Sequence, residues 1–201
     1  MAGANADAAS VTPGAPRIMT IGHSTRPIEH FIAMLQAHGV DEIVDIRTIP
    51  RSRHNPQFNR ENLPAALEKA GIGYVHMGGL GGLRHPRKDS HNTGWHNSGF
   101  RGFADYMETP EFRSALGGLI EEAARSRLAI MCAEAVPWRC HRSLIADALT
   151  ARAIPVEHIM DEANCHPHKL TPFALVHGTE VTYPADPDQQ SLLFDEPVPR
   201  G

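Results

Sequence analysis

The segment Cys132-Ala-Glu134-Ala-Val-Pro-Trp-Arg139-Cys140-His141-Arg142 gathers nucleophilic, acidic, basic and metal-ligating side chains in one short stretch. Cys132 ends an apolar run that reads as a strand, and Cys140, His141 and Arg142 open an amphipathic run that reads as a helix. A helix start carries backbone N–H groups without intrahelical partners and favours anions. Arg139 and Arg142 add fixed positive charge there. Such surroundings depress a thiol pKa and make a thiolate nucleophile, or they hold an anionic substrate such as a phosphate. Cys132, Glu134, Cys140 and His141 are also metal-ligand types, although neighbours in sequence such as Cys140 and His141 would chelate awkwardly. Cys132 can equally be an inert strand thiol. Cys132, Glu134 and His141 are the catalytic candidates of this segment, and Arg139, Cys140 and Arg142 its ligand contacts.

Two further segments carry polar groups at strand ends. In Ile21-Gly22-His23-Ser24-Thr25, Gly22 permits close backbone approach, His23 is a candidate general base, and Ser24 is a candidate ligand contact. Either Ser24 or Thr25 is expected to cap the following helix. In Asp45-Ile-Arg47 the two charged residues share one strand face, where each can orient the other. They read as ligand contacts or as a structural ion pair.

Arg47, Arg51, Arg53, His54 and Arg60 form a basic stretch without an acid, with Phe58 among them. Arg51 and Arg53 join the ligand-contact candidates. Arg84, His85, Arg87 and Lys88 form a second basic cluster, followed by Trp95. Basic loops with interleaved aromatics can follow a phosphate backbone and stack a base, or fold inward onto a small anionic ligand. A formal net charge of -4 argues against broad, non-specific nucleic-acid binding. A local basic channel remains open. Cys165-His-Pro-His168 is too loose a pattern to assign a metal, and no metal or cofactor is assigned.

The elements that position these groups alternate. Strands are expected at Ile18–Gly22, Glu42–Arg47, Gly73–Met77, Leu128–Cys132 and Val156–Met160. Helical stripes run from Ile28 to Leu35, Leu63 to Ala70, Phe112 to Ala123 and Leu144 to Leu149, with a short helix at Phe103–Met107. Thr109 and Pro110 read as an N-cap and a first-turn proline. The alternation predicts an α/β domain of three layers, with a mostly parallel five-stranded sheet and helices on both faces. Ligands in such sheets bind at the carboxyl ends of the strands, where the polar residues above fall. A long loop, residues 78–102, is expected to be functional or mobile.

The chain has 201 residues, suited to one domain with tails. Residues 1–16 are read as a disordered tail without the basic cluster or apolar core of a secretory signal. Residues 17–178 are read as the domain and 179–201 as a Pro-rich acidic tail. No apolar run is long enough for a membrane span, and three cysteines suit a reducing cytoplasm better than a disulfide scaffold. The thirteen histidines outnumber Phe, Tyr and Trp together, and protonating all of them would carry the charge from -4 to +9. Only His23, His76 and His141 fall where strand ends or a helix start should meet. In the tail, Gln190, Leu193 and Phe194 resemble the Gln-x-x-Leu-Phe peptide by which bacterial replication and repair proteins dock on the DNA sliding clamp.

Together, Thr20-Ile-Gly-His-Ser24, Val44-Asp-Ile-Arg47, Pro50-Arg-Ser-Arg53, Leu80-Gly-Gly82, Phe100-Arg-Gly-Phe103 with Tyr106 and Met107, and Met131-Cys-Ala-Glu134 leading to Cys140-His-Arg142 resemble the domain of unknown function 488 family. The resemblance covers residues 18 to 175 in order. It implies a compact bacterial or archaeal α/β domain and no known reaction, although some members carry DNA-repair labels. The combined expectation is a DNA-associated, repair-type protein or enzyme that binds a nucleotide or other phosphate-bearing ligand. The alternatives are a small-molecule enzyme with a cysteine nucleophile and a non-catalytic anion-sensing module.

Overall fold

Ile18–Gly22 (β1) is buried at every position, as is Leu128–Cys132, the burial expected in the middle of a parallel sheet covered on both faces. The computed structural model describes residues 17–185. After β1 come α1 (Ile28–Ala37), β2 (Glu42–Asp45), α2 (Leu63–Lys69), β3 (Gly73–His76), α3 (Ser98–Met107) and α4 (Pro110–Ala123). Then follow β4 (Leu128–Cys132), α5 (Arg142–Thr150), β5 (Val156–Ile159), β6 (Cys165–Pro167) and a hairpin of β7 (Leu175–His177) and β8 (Glu180–Thr182).

The main sheet has the order β3-β2-β4-β1-β5-β6. Every pairing is parallel except β5 with β6. The expected α/β architecture is therefore present, with six strands in the sheet instead of five. The sixth is a short antiparallel edge strand on β5.

Strand alternation divides the core between two faces. Ala129 and Met131 of β4 pack with Met19, Ile21 and Ile43 under Phe31 and Leu35 of α1 and Leu63 and Leu67 of α2. Leu128, Ile130 and Cys132 face the other way, with Ile18 and Val44, against Phe103 of α3, Leu116 of α4 and Leu144 of α5. Each such apolar side chain contributes about 1.5–3 kcal/mol through burial. Cys132 is thereby committed to the α3–α5 side.

Local chemistry sets the helix starts. Thr109 caps α4 by accepting from the Phe112 N–H, with Pro110 in the first turn. Asn97 accepts from the Gly99 and Phe100 N–H groups and starts α3 at Ser98, ahead of the expected Phe103. Its polar, glycine-containing first turn hides it from periodicity. Neither Ser24 nor Thr25 caps α1. Pro27 occupies that position and no side chain bonds the first turn. The packed chain continues past residue 178 through Tyr183, which is fully buried. No helix among the described residues is long and apolar enough to cross a membrane.

Candidate functional site

Gly22 lies opposite Cys132 in the β1–β4 register. A Cβ on Gly22 would run into the Glu134 carbonyl group, so glycine lets the two strand exits lie side by side. Past the last paired residues, the His23 N–H donates to the Cys132 carbonyl (3.0 Å) and the Ser24 N–H to the Ala133 carbonyl (2.8 Å). These bonds hold Ser24 at φ 51°, a left-handed conformation that costs a residue with a Cβ some strain. The turn opens onto a cavity of about 750 Å³ at the carboxyl edge of the sheet. That volume is within the ~300–1,000 Å³ range of small-molecule sites.

All four catalytic candidates, His23, Cys132, Glu134 and His141, line this cavity. Of the ligand-contact candidates, Ser24, Arg47, Arg51, Arg139 and Cys140 line it as well. Asp45, Arg53 and Arg142 are not on the wall.

Cys132 and Cys140 are both buried and packed in the same core cluster. His141 Nδ1 lies 4.0 Å from Cys132 Sγ and 3.7 Å from Cys140 Sγ. The three ligand-type atoms lie within 4.8 Å of one another. Backbone conformation brings adjacent Cys140 and His141 to one point: Cys140 is extended (φ -137°, ψ 144°), whereas His141 is helical (φ -57°, ψ -15°). The neighbouring Cys132 thiol lowers the Cys140 pKa to about 7, helped by the Arg142 charge and backbone N–H and opposed by burial. The proximity of Cys140, together with burial, pushes Cys132 well up. These shifts favour the negative charge of the pair on Cys140, beside Arg142.

Arg47, 6% exposed, is the most heavily engaged cation. Its Nε and Nη2 donate to the two Asp45 carboxylate oxygens at 2.9 and 2.6 Å, and Nη2 also donates to the Phe58 carbonyl at 2.7 Å. Arg47 Nη1 lies 3.2 Å from His23 Nε2. A guanidinium only donates, so His23 Nε2 accepts, which leaves the proton on Nδ1 to donate to the Ser24 carbonyl at 2.8 Å. Burial lowers the His23 pKa to about 4, with the Ser24 carbonyl opposing and the Arg47 charge reinforcing the shift. His23 is thus a neutral bridge with both nitrogens occupied, stacked on Phe58 at 4.3 Å. It holds Arg47 and Ser24 in place.

Asp45 is fully buried beneath Arg47 and also accepts from Tyr74 Oη at 2.8 Å. Of the two readings of the Asp45–Arg47 pair, the structural ion pair accounts for Asp45. His76, on β3, supports the same corner through a 2.8 Å contact with the Arg47 carbonyl. Arg142, 1% exposed, donates to the Glu134 and Ala135 carbonyls and so shapes the loop from behind. Arg53 is exposed on the loop after Arg47. Arg51 pairs only with exposed Glu61, at 3.4 Å. The Arg139 guanidinium has no hydrogen-bond or ion-pair partner among the described residues.

The second basic cluster is largely engaged within the fold. Arg84 stacks on Tyr106 at 3.7 Å, Arg87 pairs with Glu108 at 2.6 Å, and Trp95 packs among Phe100, Phe173 and Tyr183. Gln190, Leu193 and Phe194 lie outside the described residues. Sequence reasoning missed Gly82, Asn97 and Phe100, which also line the cavity. A Cβ on Gly82 would lie 2.6 Å from His141 Cγ. The glycine-rich character of the 78–102 loop was one signal, and Gly82 and Phe100 also lie in the motifs that carry the family resemblance.

Fold and site define an α/β protein whose cavity combines two buried thiols, two histidines and three arginines at the strand ends. The family described as "Domain of unknown function DUF488" matches residues 27–149, and the chain belongs to this family. No curated protein and no solved structure matches the chain.

Proposed function

We propose that the protein binds a phosphate-bearing ligand of nucleotide size in the cavity at the strand ends. The observation that carries this reading is the pair Arg51 and Arg139 on the cavity wall. Arg139 is unpaired among the described residues and Arg51 holds only an exposed 3.4 Å pair with Glu61, whereas Arg47 and Arg142 are consumed by the protein. Glu134 is the one acid on that wall, so the wall favours an anion. The helix start at Arg142 adds backbone polarity of the same sign. Phe100 and Leu83 supply apolar surface for the rest of the ligand.

A DNA-associated, repair-type role is the extended form of this reading. Exposed Arg51, Arg53 and His54 lie on one loop at the cavity and would continue a phosphate track from it. A terminal phosphate of a strand would then occupy the place taken by a free nucleotide.

Calorimetric titration of the full chain with a nucleoside monophosphate and with a short single-stranded oligonucleotide tests the proposal. Both are expected to bind, and Arg139→Ala is expected to weaken each by about tenfold or more, as loss of a charge-assisted bond does. Absence of binding to both at low salt would overturn it.

A further inference from the structure

We propose that Cys132, Cys140 and His141 form a binding site for one divalent ion of the zinc type, with a fourth coordination position open to the cavity. This deepens the phosphate-ligand reading by supplying a Lewis-acid centre beside the anion. Occupancy of the site by the ion stands apart from that reading.

The geometry is close to that of a formed site. A tetrahedral zinc with sulfur at about 2.3 Å and nitrogen at about 2.0–2.1 Å holds sulfur and nitrogen about 3.6 Å apart. His141 Nδ1 is 3.7 Å from one sulfur and 4.0 Å from the other. Inward movement of a few tenths of an ångström satisfies both nitrogen–sulfur distances. The two sulfurs, which lie within 4.8 Å of each other, approach by up to about 1 Å to reach the roughly 3.8 Å of such a site. Among the described residues this is the one group of three or more His, Cys, Asp or Glu side chains whose ligand atoms converge in this way.

The surroundings fit the same role. Thiols are weak donors and acceptors, so hydrogen bonding among the three gives little reason for a buried thiol pair to face an imidazole. His141 Nε2 is buried and has no partner among the described residues. The ring is therefore oriented by the sulfurs at Nδ1 and by packing against Phe103 at 4.9 Å. Gly82 leaves the space beside the ring free of any side chain.

The donor types select the ion. Two thiolates and an imidazole suit zinc or another borderline-soft ion and disfavour magnesium and calcium. The set holds three protein ligands, and His23 Nε2, on the same cavity wall, is already engaged by Arg47. Three ligands and an open position are the pattern of catalytic zinc, where the fourth place holds water or substrate. The awkwardness of neighbouring Cys140 and His141, for which the sequence assigned no metal, is removed by the extended-to-helical break between them.

The test uses the reduced wild-type full chain in phosphate-free buffer under anaerobic conditions. One equivalent of Zn²⁺ is added, and alkylation of each cysteine is followed by mass spectrometry. Cys165, on β6 and bonded to Glu157, is the internal control. Zinc is expected to slow alkylation of Cys132 and Cys140 at least tenfold and to leave Cys165 unchanged. Cobalt titration is expected to give thiolate-to-metal absorption with a stoichiometry of one. Cys140→Ser is expected to weaken cobalt binding at least as much as the 10–100-fold cost typical of losing an outer-sphere partner. Equal alkylation of all three cysteines with and without zinc would overturn the proposal. No phosphate-bearing ligand is present, so failure here and failure of the phosphate-ligand reading are separate results.

Discussion

Gly22 and Gly82 show how little space the site leaves around its reactive groups. Alanine at 22 would meet the Glu134 carbonyl carbon at 2.6 Å, and this neighbour is backbone that cannot swing away. Gly22→Ala is expected to destabilise the protein by about 2–3 kcal/mol, the upper range of overpacking costs, read as a shift of the urea midpoint. At 82 the neighbour is the His141 ring, so Gly82→Ala should displace the ring with a smaller stability cost and a larger loss of metal binding. The chemical types at the strand ends were legible in the sequence, because apolar runs ending in His, Asp, Cys or Glu mark the carboxyl edge of a parallel sheet. Which of them face the cavity was not. Asp45 and Arg47 differ only in whether the side chain is short enough to remain beneath its partner. His23 is decided by Arg47, a long-range contact that carries no sequence signature.

Between elements, α5 is tied to the sheet edge and hairpin through Asp147. This fully buried carboxylate accepts from Thr171 N–H and Oγ1, and from Tyr183 Oη. It also lies 2.8 Å from His168 Nε2, His168 Nδ1 lies 3.0 Å from His158 Nε2, and His158 Nδ1 lies 2.8 Å from Thr20 Oγ1. With both rings neutral, every donor in this chain meets an acceptor: Thr20 donates to His158, His158 to His168, and His168 to Asp147. Asp147→Ala is expected to cost about 3–5 kcal/mol, as breaking a buried charged network does, measured by chemical denaturation. Burial, reinforced by His168 and Arg142, lowers the His158 pKa from 6.5 to about 3. The unfolded chain therefore takes up this proton first. Stability from His158 is complete above pH 6.5 and is lost as pH falls toward 3, on the order of 1 kcal/mol per pH unit. Urea midpoints at pH 7.5 and 5.5 test this, and His158→Gln should shrink the difference without abolishing it, since His23 contributes in the same window. Strands β6 to β8 escaped periodicity because each is three residues long and mostly exposed. Their order comes from Asp147, His168 and Tyr183, residues remote in sequence.

On the scale of the whole molecule, the site sits where both core faces end. β1, β2 and β4 deliver His23, Arg47 and Cys132 from one sheet edge. The loops after β2 and β4 bring Arg51 and Arg139, and the 78–97 loop covers the floor with Gly82. The histidine excess resolves accordingly. His23 and His141 serve the site, His76 props Arg47, and His158 and His168 serve the network under α5. The alternating pattern was enough to predict the layers and the strand-end location. That Arg139 is unpaired among the described residues and Arg51 only loosely paired emerged once the other arginines were seen to be engaged. If a single phosphate-bearing ligand binds, the salt dependence of affinity should be shallow. A strand running onto Arg51 and Arg53 should give a steeper slope, rising with each phosphate engaged.

The most direct measurement is a nuclear magnetic resonance titration of isotope-labelled full-length protein with a nucleoside monophosphate. Amide shifts are predicted to cluster at Ser24, Arg51 and the 133–142 segment. Shifts confined to other surfaces, such as the pocket around Trp95, Leu170 and Phe173, would contradict the assignment of the strand-end cavity as the ligand site.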